Sequence, residues 1–195
     1  AALHHGAGRV FLHLLDHGQL QQLPQTPEIM LRNQVTALAQ LPSSTVVCGC
    51  GGGSSVAALL PKVLEHSARL LLDADALNAI AADAMLRQRL KNRGAAGLPT
   101  VLTPHPLEAA RLLNSSVSTV QADRLAAAHT LANTLDCTVL LKGSGSIIAS
   151  PGEVPHINPT GNALLATGGT GDVLAGMVAA RWASMQNNVN SNAHR

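Results

Sequence analysis

Aromatic and charged residues are scarce in this sequence. It has no tyrosine, one phenylalanine (Phe11) and one tryptophan (Trp182); charged residues make up 12% of its 195 residues, and the formal net charge is +2. Proteins that bind nucleic acids or anionic membrane surfaces use basic patches, and those that bind single strands also stack bases on aromatic rings. The composition therefore argues against nucleic-acid and membrane partners.

Long apolar runs and paired cysteines are also lacking. No run reaches the ~18 apolar residues of a membrane span, and no signal peptide opens the sequence. The three cysteines, an odd number, fit neither a disulfide framework nor the spacing of a zinc site; they are Cys48, Cys50 and Cys137. The pair His4 and His5 has no carboxylate at ligand spacing. We therefore expect a soluble, cytoplasmic protein with reduced thiols and no metal site built from protein ligands.

Hydrophobic residues, in contrast, make up 46% of the chain. They form short runs that alternate with helical patterns, which predicts an α/β layered fold around one core. Most runs are continuous, as expected for strands of a parallel sheet that is covered on both faces. The predicted strands are residues 9–15, 44–49, 69–73, 100–103, 137–143 and 146–150.

The segments between these runs differ in character. Helical spacing of apolar residues predicts helices after residues 53, 75, 106 and 123. The proline- and glycine-rich segment 151–161 is predicted to be a loop, and the polar segment 187–195 a disordered tail. Residues 1–186 are then expected to form a single domain.

Glycine-rich or polar segments lie at the carboxyl ends of the predicted strands, where α/β folds bind ligands. They are "GCGGGSS" at 49–55, "DADALN" at 73–78, "PHPLE" at 104–108, "GSGS" at 143–146 and "NPTGNALLATGGTGD" at 158–172. Each alone is also explained as a hairpin turn, a loop or a helix cap. Together they predict one binding site.

The first of these segments is similar to a dinucleotide-binding fingerprint. Gly49 and Gly51 are followed by Ser54, where the fingerprint has Gly or Ala. Asp73 follows at about the spacing along the sequence that is expected for a ribose-binding acid. No Walker A sequence is present. A dinucleotide-binding dehydrogenase therefore remains an alternative that rests on an imperfect match.

The segment "TGGTGDVLAG" at 167–176 places Gly168, Gly169 and Gly171 at the start of an apolar helix. Free N–H groups at a helix start carry the positive end of the helix dipole, and glycines let the backbone approach an anion closely. An acid beside a bound phosphate is repelled, but it can accept the proton of a hydroxyl that attacks that phosphate. We therefore predict that Asp172 is a general base; the alternative is that it only caps the helix.

Four motifs, in order, resemble the bacterial ADP-dependent NAD(P)H-hydrate dehydratases, which belong to the ribokinase-like superfamily. They are "LLDADALNAIA", "VLTPHPLEAARLL", "VLLKGSGSIIAS" and "NPTGNALLATGGTGDVLAG". The resemblance covers nearly the whole chain up to Trp182 and implies a three-layer α/β/α domain with a mostly parallel central sheet. The family's first strand would lie before Ala1 and its last helices after Trp182, so the chain is expected to be truncated at both ends.

The resemblance implies an enzyme that dehydrates the S form of hydrated NAD(P)H back to NAD(P)H, with ADP converted to AMP and phosphate. By carry-over, Asp172 is the catalytic base and also contacts the hydrate. The implied nucleotide-binding residues are Lys142, Gly143, Ser144, Gly145, Ser146, Asn162, Gly169, Thr170 and Gly171. The implied hydrate-binding residues are Gly49, Gly51, Gly53 and His105. The chain departs from the family at Leu107, where glycine is usual, and in the loop 49–53, which replaces "GPGLG".

Magnesium is expected on the phosphates of ADP rather than in a cage of protein ligands. The resemblance also implies a homotetramer. Two alternatives share the glycine-rich helix start: a ribokinase-like kinase of hydroxymethyl-pyrimidine or thiazole type, which would release a stable phosphorylated product, and an inactive nucleotide-binding module. The "NPTGN" and "TPHP" elements favour the dehydratase over the kinase.

Overall fold

A six-stranded sheet organises the computed structural model, which describes residues 1–15, 23 and 25–191. The strands lie side by side in chain order, β3 to β8; β3 to β6 are parallel, and β7 and β8 are antiparallel to their neighbours. Their bounds are β3 Thr45–Cys48, β4 Arg69–Leu72, β5 Thr100–Leu102, β6 Thr138–Leu141, β7 Ile147–Ala149 and β8 His156–Ile157. The predicted mostly parallel sheet is confirmed.

Two further strands, β1 (Val10–Leu12) and β2 (Ile29–Leu31), pair in parallel as a separate small sheet. The helices are α1 Gln34–Ala39, α2 Val56–His66, α3 Ala74–Ala82, α4 Ala84–Ala95, α5 Pro106–Leu113, α6 Val117–Ala122, α7 Arg124–Leu135 and α8 Thr170–Ser191. All four predicted helix positions, after residues 53, 75, 106 and 123, carry a helix. None of the helices within the described ranges is long and apolar enough to cross a bilayer.

The sheet separates two layers of helices. Helices α2 to α7 pack against one another, whereas α8 packs against β3. Because successive strand residues point to opposite faces, Leu70 and Leu72 join the core beneath α2 to α7, and Leu71, also fully buried, points the other way. This arrangement confirms the three-layer α/β/α fold.

Two local expectations differ from the structure. The predicted loop 151–161 contains β8, in which Ile157 pairs with Ile147 and His156 with Ile148. Both β8 residues are exposed, and a two-residue edge strand is formed by its neighbour's free backbone groups rather than by its own apolar pattern. Helix α8 continues to Ser191, into the predicted tail 187–195, because adding a residue to an existing helix is far easier than starting one. Residues 192–195 lie outside the described part.

Candidate active site

The centre of the candidate site is an ion pair between the ends of two parallel strands. The Lys142 Nζ donates to Asp73 Oδ1 at 2.8 Å. Asp73 directly follows β4 and is 1% exposed, and its backbone N–H donates to the Cys48 carbonyl at 3.1 Å. Lys142 directly follows β6, and its N–H donates to the Pro104 carbonyl at 2.8 Å. Both backbones are therefore fixed by the sheet, and the two side chains meet at its carboxyl edge.

A capping box at the start of α5 borders this pair. The His105 Nδ1 accepts from the N–H groups of Leu107 and Glu108, at 3.1 and 3.3 Å, and the His105 N–H donates to Glu108 Oε2 at 2.8 Å. Because Nδ1 accepts, the ring proton lies on Nε2, which is 3.2 Å from Glu108 Oε1. Glu108 is buried, and its Oε2 is 3.9 Å from Lys142 Nζ. Since both ring nitrogens are engaged, His105 presents the face of its half-exposed ring rather than a free nitrogen.

The first turn of α8 lies next to the ion pair. A Cβ placed on Gly171 would be 3.4 Å from Lys142 Nζ and 3.8 Å from Asp73 Oδ2. Gly169 adopts φ +85°, and its carbonyl accepts from the Val173 N–H at 3.1 Å, so the helix begins at Thr170. The first N–H groups of the helix have no partner within it, which makes this turn a potential anion site beside an ammonium group.

Asp172 occupies the first turn of this helix, not the position before it. The interpretation of Asp172 as the N-cap is therefore wrong, because the helix starts two residues earlier. The terminal atoms of Asp172, Asp73 and Cys50 all lie within 4.8 Å of one another. The fold thus brings the predicted base to the ion pair.

These three side chains do not fit a magnesium cage. Magnesium prefers six oxygen ligands, but Asp73 already pairs with Lys142, and Cys50 offers sulfur. Burial, followed by the charges of Asp73 and Asp172, raises the pKa of the Cys50 thiol to about 12. The thiol is therefore protonated at neutral pH and donates weakly to Asp73 Oδ2, at 4.0 Å. Asp172, which also accepts a hydrogen bond from the Cys50 thiol, is the one carboxylate of the three without a cationic partner among the described residues.

The glycine loop 49–53, predicted to bind the hydrate, contacts the segment after β4. Gly49 adopts φ +116°, and a Cβ there would overlap the Asp73 carbonyl oxygen, so only glycine fits. The Gly53 N–H donates to Asp75 Oδ2 at 2.8 Å. The loop is therefore held by Asp75, a residue to which the sequence analysis gave no role.

The loop 142–146, predicted to bind the nucleotide, is held by Arg124 at the start of α7. The Arg124 Nη1 donates to the Ser144 carbonyl at 2.6 Å, and Nη2 donates to the carbonyls of Leu141 and Lys142, each at 3.4 Å. Gly143 adopts φ +149°, and a Cβ there would be 2.7 Å from Arg124 Nη2. The Ser146 Oγ donates to the Gly143 carbonyl at 3.1 Å. The loop thus has a fixed shape with a guanidinium against it.

Asn162 is used differently from the other predicted residues. Its side-chain oxygen accepts from the Leu164 N–H at 2.9 Å and caps the short 3₁₀ turn Ala163–Leu165. Its assignment to the nucleotide pocket stays a prediction.

Three supporting residues were missed by the sequence analysis: Glu108, Asp75 and Arg124. The H-x-x-E spacing of a capping box could have indicated Glu108. No local signal indicates Arg124, whose partners lie 17 to 20 residues along the chain.

Comparison with known proteins identifies relatives along the whole chain. A family model described as "Carb_kinase: NAD(P)H-hydrate dehydratase" matches residues 1–194. The chain is 40% identical over 183 residues to the ADP-dependent (S)-NAD(P)H-hydrate dehydratase of Neisseria meningitidis, covering 91% of this chain and 60% of the relative. It is 40% identical over 160 residues to a bifunctional NAD(P)H-hydrate repair enzyme of Mycobacterium leprae, covering 82% of this chain and 32% of that protein. The chain thus spans less than two thirds of these relatives.

Two solved structures are similar to this chain in fold. The ADP/ATP-dependent NAD(P)H-hydrate dehydratase of Bacillus subtilis, co-crystallized with ATP/Mg²⁺ and soaked with CoA, matches with TM-score 0.64 and 25% identity, over 92% of this chain and 65% of that one. A ribokinase-like superfamily protein of Enterococcus faecalis matches with TM-score 0.71 and 26% identity, over 92% of this chain and 62% of that one.

Proposed function

Because the chain belongs to the NAD(P)H-hydrate dehydratase family, we propose that it carries out the ADP-dependent dehydration of the S form of hydrated NAD(P)H, giving NAD(P)H, AMP and phosphate. One observation carries this proposal: the first turn of α8, with its free N–H groups and Asp172, lies against the Lys142–Asp73 pair. Phosphoryl transfer needs an anion site, a cation and a base at one point. Hydride transfer, in contrast, needs no phosphoryl group held against the base.

The proposed reaction has two steps. Asp172 accepts the proton of the ring hydroxyl while the hydroxyl oxygen forms a bond to the terminal phosphorus of ADP, and the bond to AMP breaks. The nitrogen lone pair of the ring then expels phosphate as the carbon–oxygen bond breaks, and the resulting iminium cation loses a proton from the adjacent ring carbon to solvent, which restores NAD(P)H. The N–H groups of Gly169, Thr170 and Gly171 stabilise the charge of the phosphoryl group during transfer.

The remaining loops are proposed to bind different substrates. The loop 142–146, held by Arg124, would bind the nucleotide. The glycine loop 49–53 would bind the hydrate, because it follows β3, on the other side of Asp73 from the loop 142–146. The exposed face of the His105 ring, which follows β5 between the two, would contact the hydrate as well. Asn162 would shape the nucleotide pocket from the segment that precedes α8.

Mg²⁺ would enter with the nucleotide, held mainly by its phosphates, since the acidic side chains here do not form a cage. When bound, it would neutralise phosphate charge. The co-crystallization of the Bacillus subtilis relative with ATP/Mg²⁺ supports this assignment. We also propose a cytoplasmic homotetramer, on the resemblance and on the free thiols of Cys48, Cys50 and Cys137.

The direct test is to mix the protein with hydrated NADH, Mg²⁺ and ADP and to follow the return of reduced-nicotinamide absorbance. The expected result is an absorbance increase that requires ADP and is matched by equal amounts of AMP and phosphate. The control omits ADP.

The same assay separates the alternatives. If hydroxymethyl-pyrimidine or thiazole substrates give a stable phosphorylated vitamin precursor and no NADH returns, the protein is the kinase and not the dehydratase. ADP binding without any turnover would leave a nucleotide-binding module.

A further inference from the structure

Two buried carboxylates face the Lys142 ammonium, and they are not equivalent. Asp73 Oδ1 accepts from Nζ at 2.8 Å, whereas Glu108 Oε2 is 3.9 Å away. Both Glu108 oxygens are also engaged by His105, through its backbone N–H and its ring. Asp73 is therefore the main partner of the ammonium, and Glu108 mainly fixes the start of α5.

The ammonium lies where a phosphate at the start of α8 would meet it. Its distance of 3.4 Å from the Cβ position of Gly171 places it against the helix start. A lysine side chain is long and has many rotamers. A buried partner directly after β4 limits those rotamers and places the charge at this turn.

Asp172 is the competing partner for this charge. Its carboxylate lies within 4.8 Å of Asp73 and Cys50, yet no ion pair of Asp172 is found among residues 1–15 and 25–191. An ammonium released from Asp73 could pair with Asp172, which would occupy the proposed base. Asp73 thus keeps the cation at the phosphate position and away from the base.

We propose that Asp73 is a positioning residue: its buried carboxylate holds the Lys142 ammonium beside Gly171, where it contacts the transferred phosphoryl group of the nucleotide. The inference rests on the proposed function, since it assumes that ADP binds at the start of α8. It assigns Asp73 a role in nucleotide selection, because ADP carries the transferred group and AMP does not.

The test compares ADP and AMP affinity by calorimetry in Asp73→Asn, Lys142→Met and the double variant. A charge-assisted contact to phosphate is lost in each, so ADP should bind about tenfold more weakly or worse, while AMP affinity stays within about twofold. If Asp73 had only a structural role, its replacement would weaken the binding of both ADP and AMP. If Asp73 acts only through Lys142, the double variant should bind ADP no more weakly than Lys142→Met alone. Asp83→Asn, which alters an exposed helix cap far from the site, is the matched control and should bind both nucleotides normally.

The outcomes are distinct. Wild-type protein that binds no ADP would refute the proposed function itself. Wild-type protein that binds ADP, together with an Asp73→Asn variant that binds it equally well, would overturn the positioning role alone. If Asp73→Asn does not fold, the double variant, in which neither charge remains, is compared with Lys142→Met. A lower ADP affinity in the double variant than in Lys142→Met contradicts the proposal, and an equal affinity supports it.

Discussion

The two faces of the central sheet differ in how closely the side chains on them are packed. Beneath α2 to α7 the side chains are closely packed: Leu60, Leu77 and Leu131 are each 1% exposed or less. On the other face, α8 is the helix that packs against the large sheet, and a cavity of about 1110 Å³ opens beside it, lined in part by Leu174 and Trp182. The described part of the chain is therefore closely packed on one side of the sheet and open on the other.

The candidate site contains residues from elements on both faces of the sheet. The buried carboxylates of Asp73 and Glu108 and the partly buried ammonium of Lys142 are anchored at strand ends and at the start of α5. The glycine turn and Asp172, in contrast, belong to α8 on the open side. The site thus combines charges that are fixed at the sheet edge with the first turn of α8.

Replacing Asp172 on the open side should give the largest effect. Asp172→Asn keeps the size of the side chain but cannot accept a proton at neutral pH, so turnover should fall by ~10² to 10⁴. Because Asp172 is exposed and lies inside the helix, thermal stability should change little. Turnover and the melting temperature would be measured on the same preparation. Near-normal turnover in a folded variant would rule out the catalytic role.

Matched truncations on the two faces test the packing difference. Leu131→Ala on α7 removes a side chain that is 1% exposed and should lower the free energy of unfolding by about 2–5 kcal/mol. Leu174→Ala on α8 makes the same change beside the cavity, where the side chain is half-buried, and should cost about 1 kcal/mol or less. Urea denaturation of both variants gives the two values. Equal losses would contradict the comparison.

An effect smaller than that of the core truncation concerns the thiol of Cys137, which is buried where β6 begins. Burial, and secondarily the charge of Asp136, raise the pKa of this thiol from its ordinary value of 9.0 to about 12. The unfolded chain loses this proton first, so the thiol's contribution to stability is present below pH 9 and is lost as the pH rises toward 12. Between pH 8 and 10 the loss is about 1.4 kcal/mol.

The control for this prediction is Cys137→Ala, which lacks the titrating thiol. Denaturation of both proteins at pH 8 and 10 should show a smaller alkaline loss in the variant. An identical loss would mean that the thiol does not titrate differently in the folded and unfolded chains.

Local sequence was sufficient for the parts of the fold that depend on local pattern. Five continuous apolar runs predicted β3 to β7, because strands buried on both faces are apolar throughout. The glycine-rich start of α8 was predicted from the segment 167–176, and Gly169 there has the positive φ that glycine permits. The family motifs indicated the fold class and which loops to compare.

Contacts between distant residues were decided by the tertiary structure. Lys142 and Asp73 are 69 residues apart and meet because β4 and β6 end at the same sheet edge. β8 forms only because β7 offers an edge, and Arg124 supports the loop 142–146 only because α7 packs beside it. Such partners leave no periodic signal, since each depends on the register of other strands. The sequence by itself determined which residues could carry the chemistry; the tertiary structure decided which of them share one point, because charge pairing depends on separation in space.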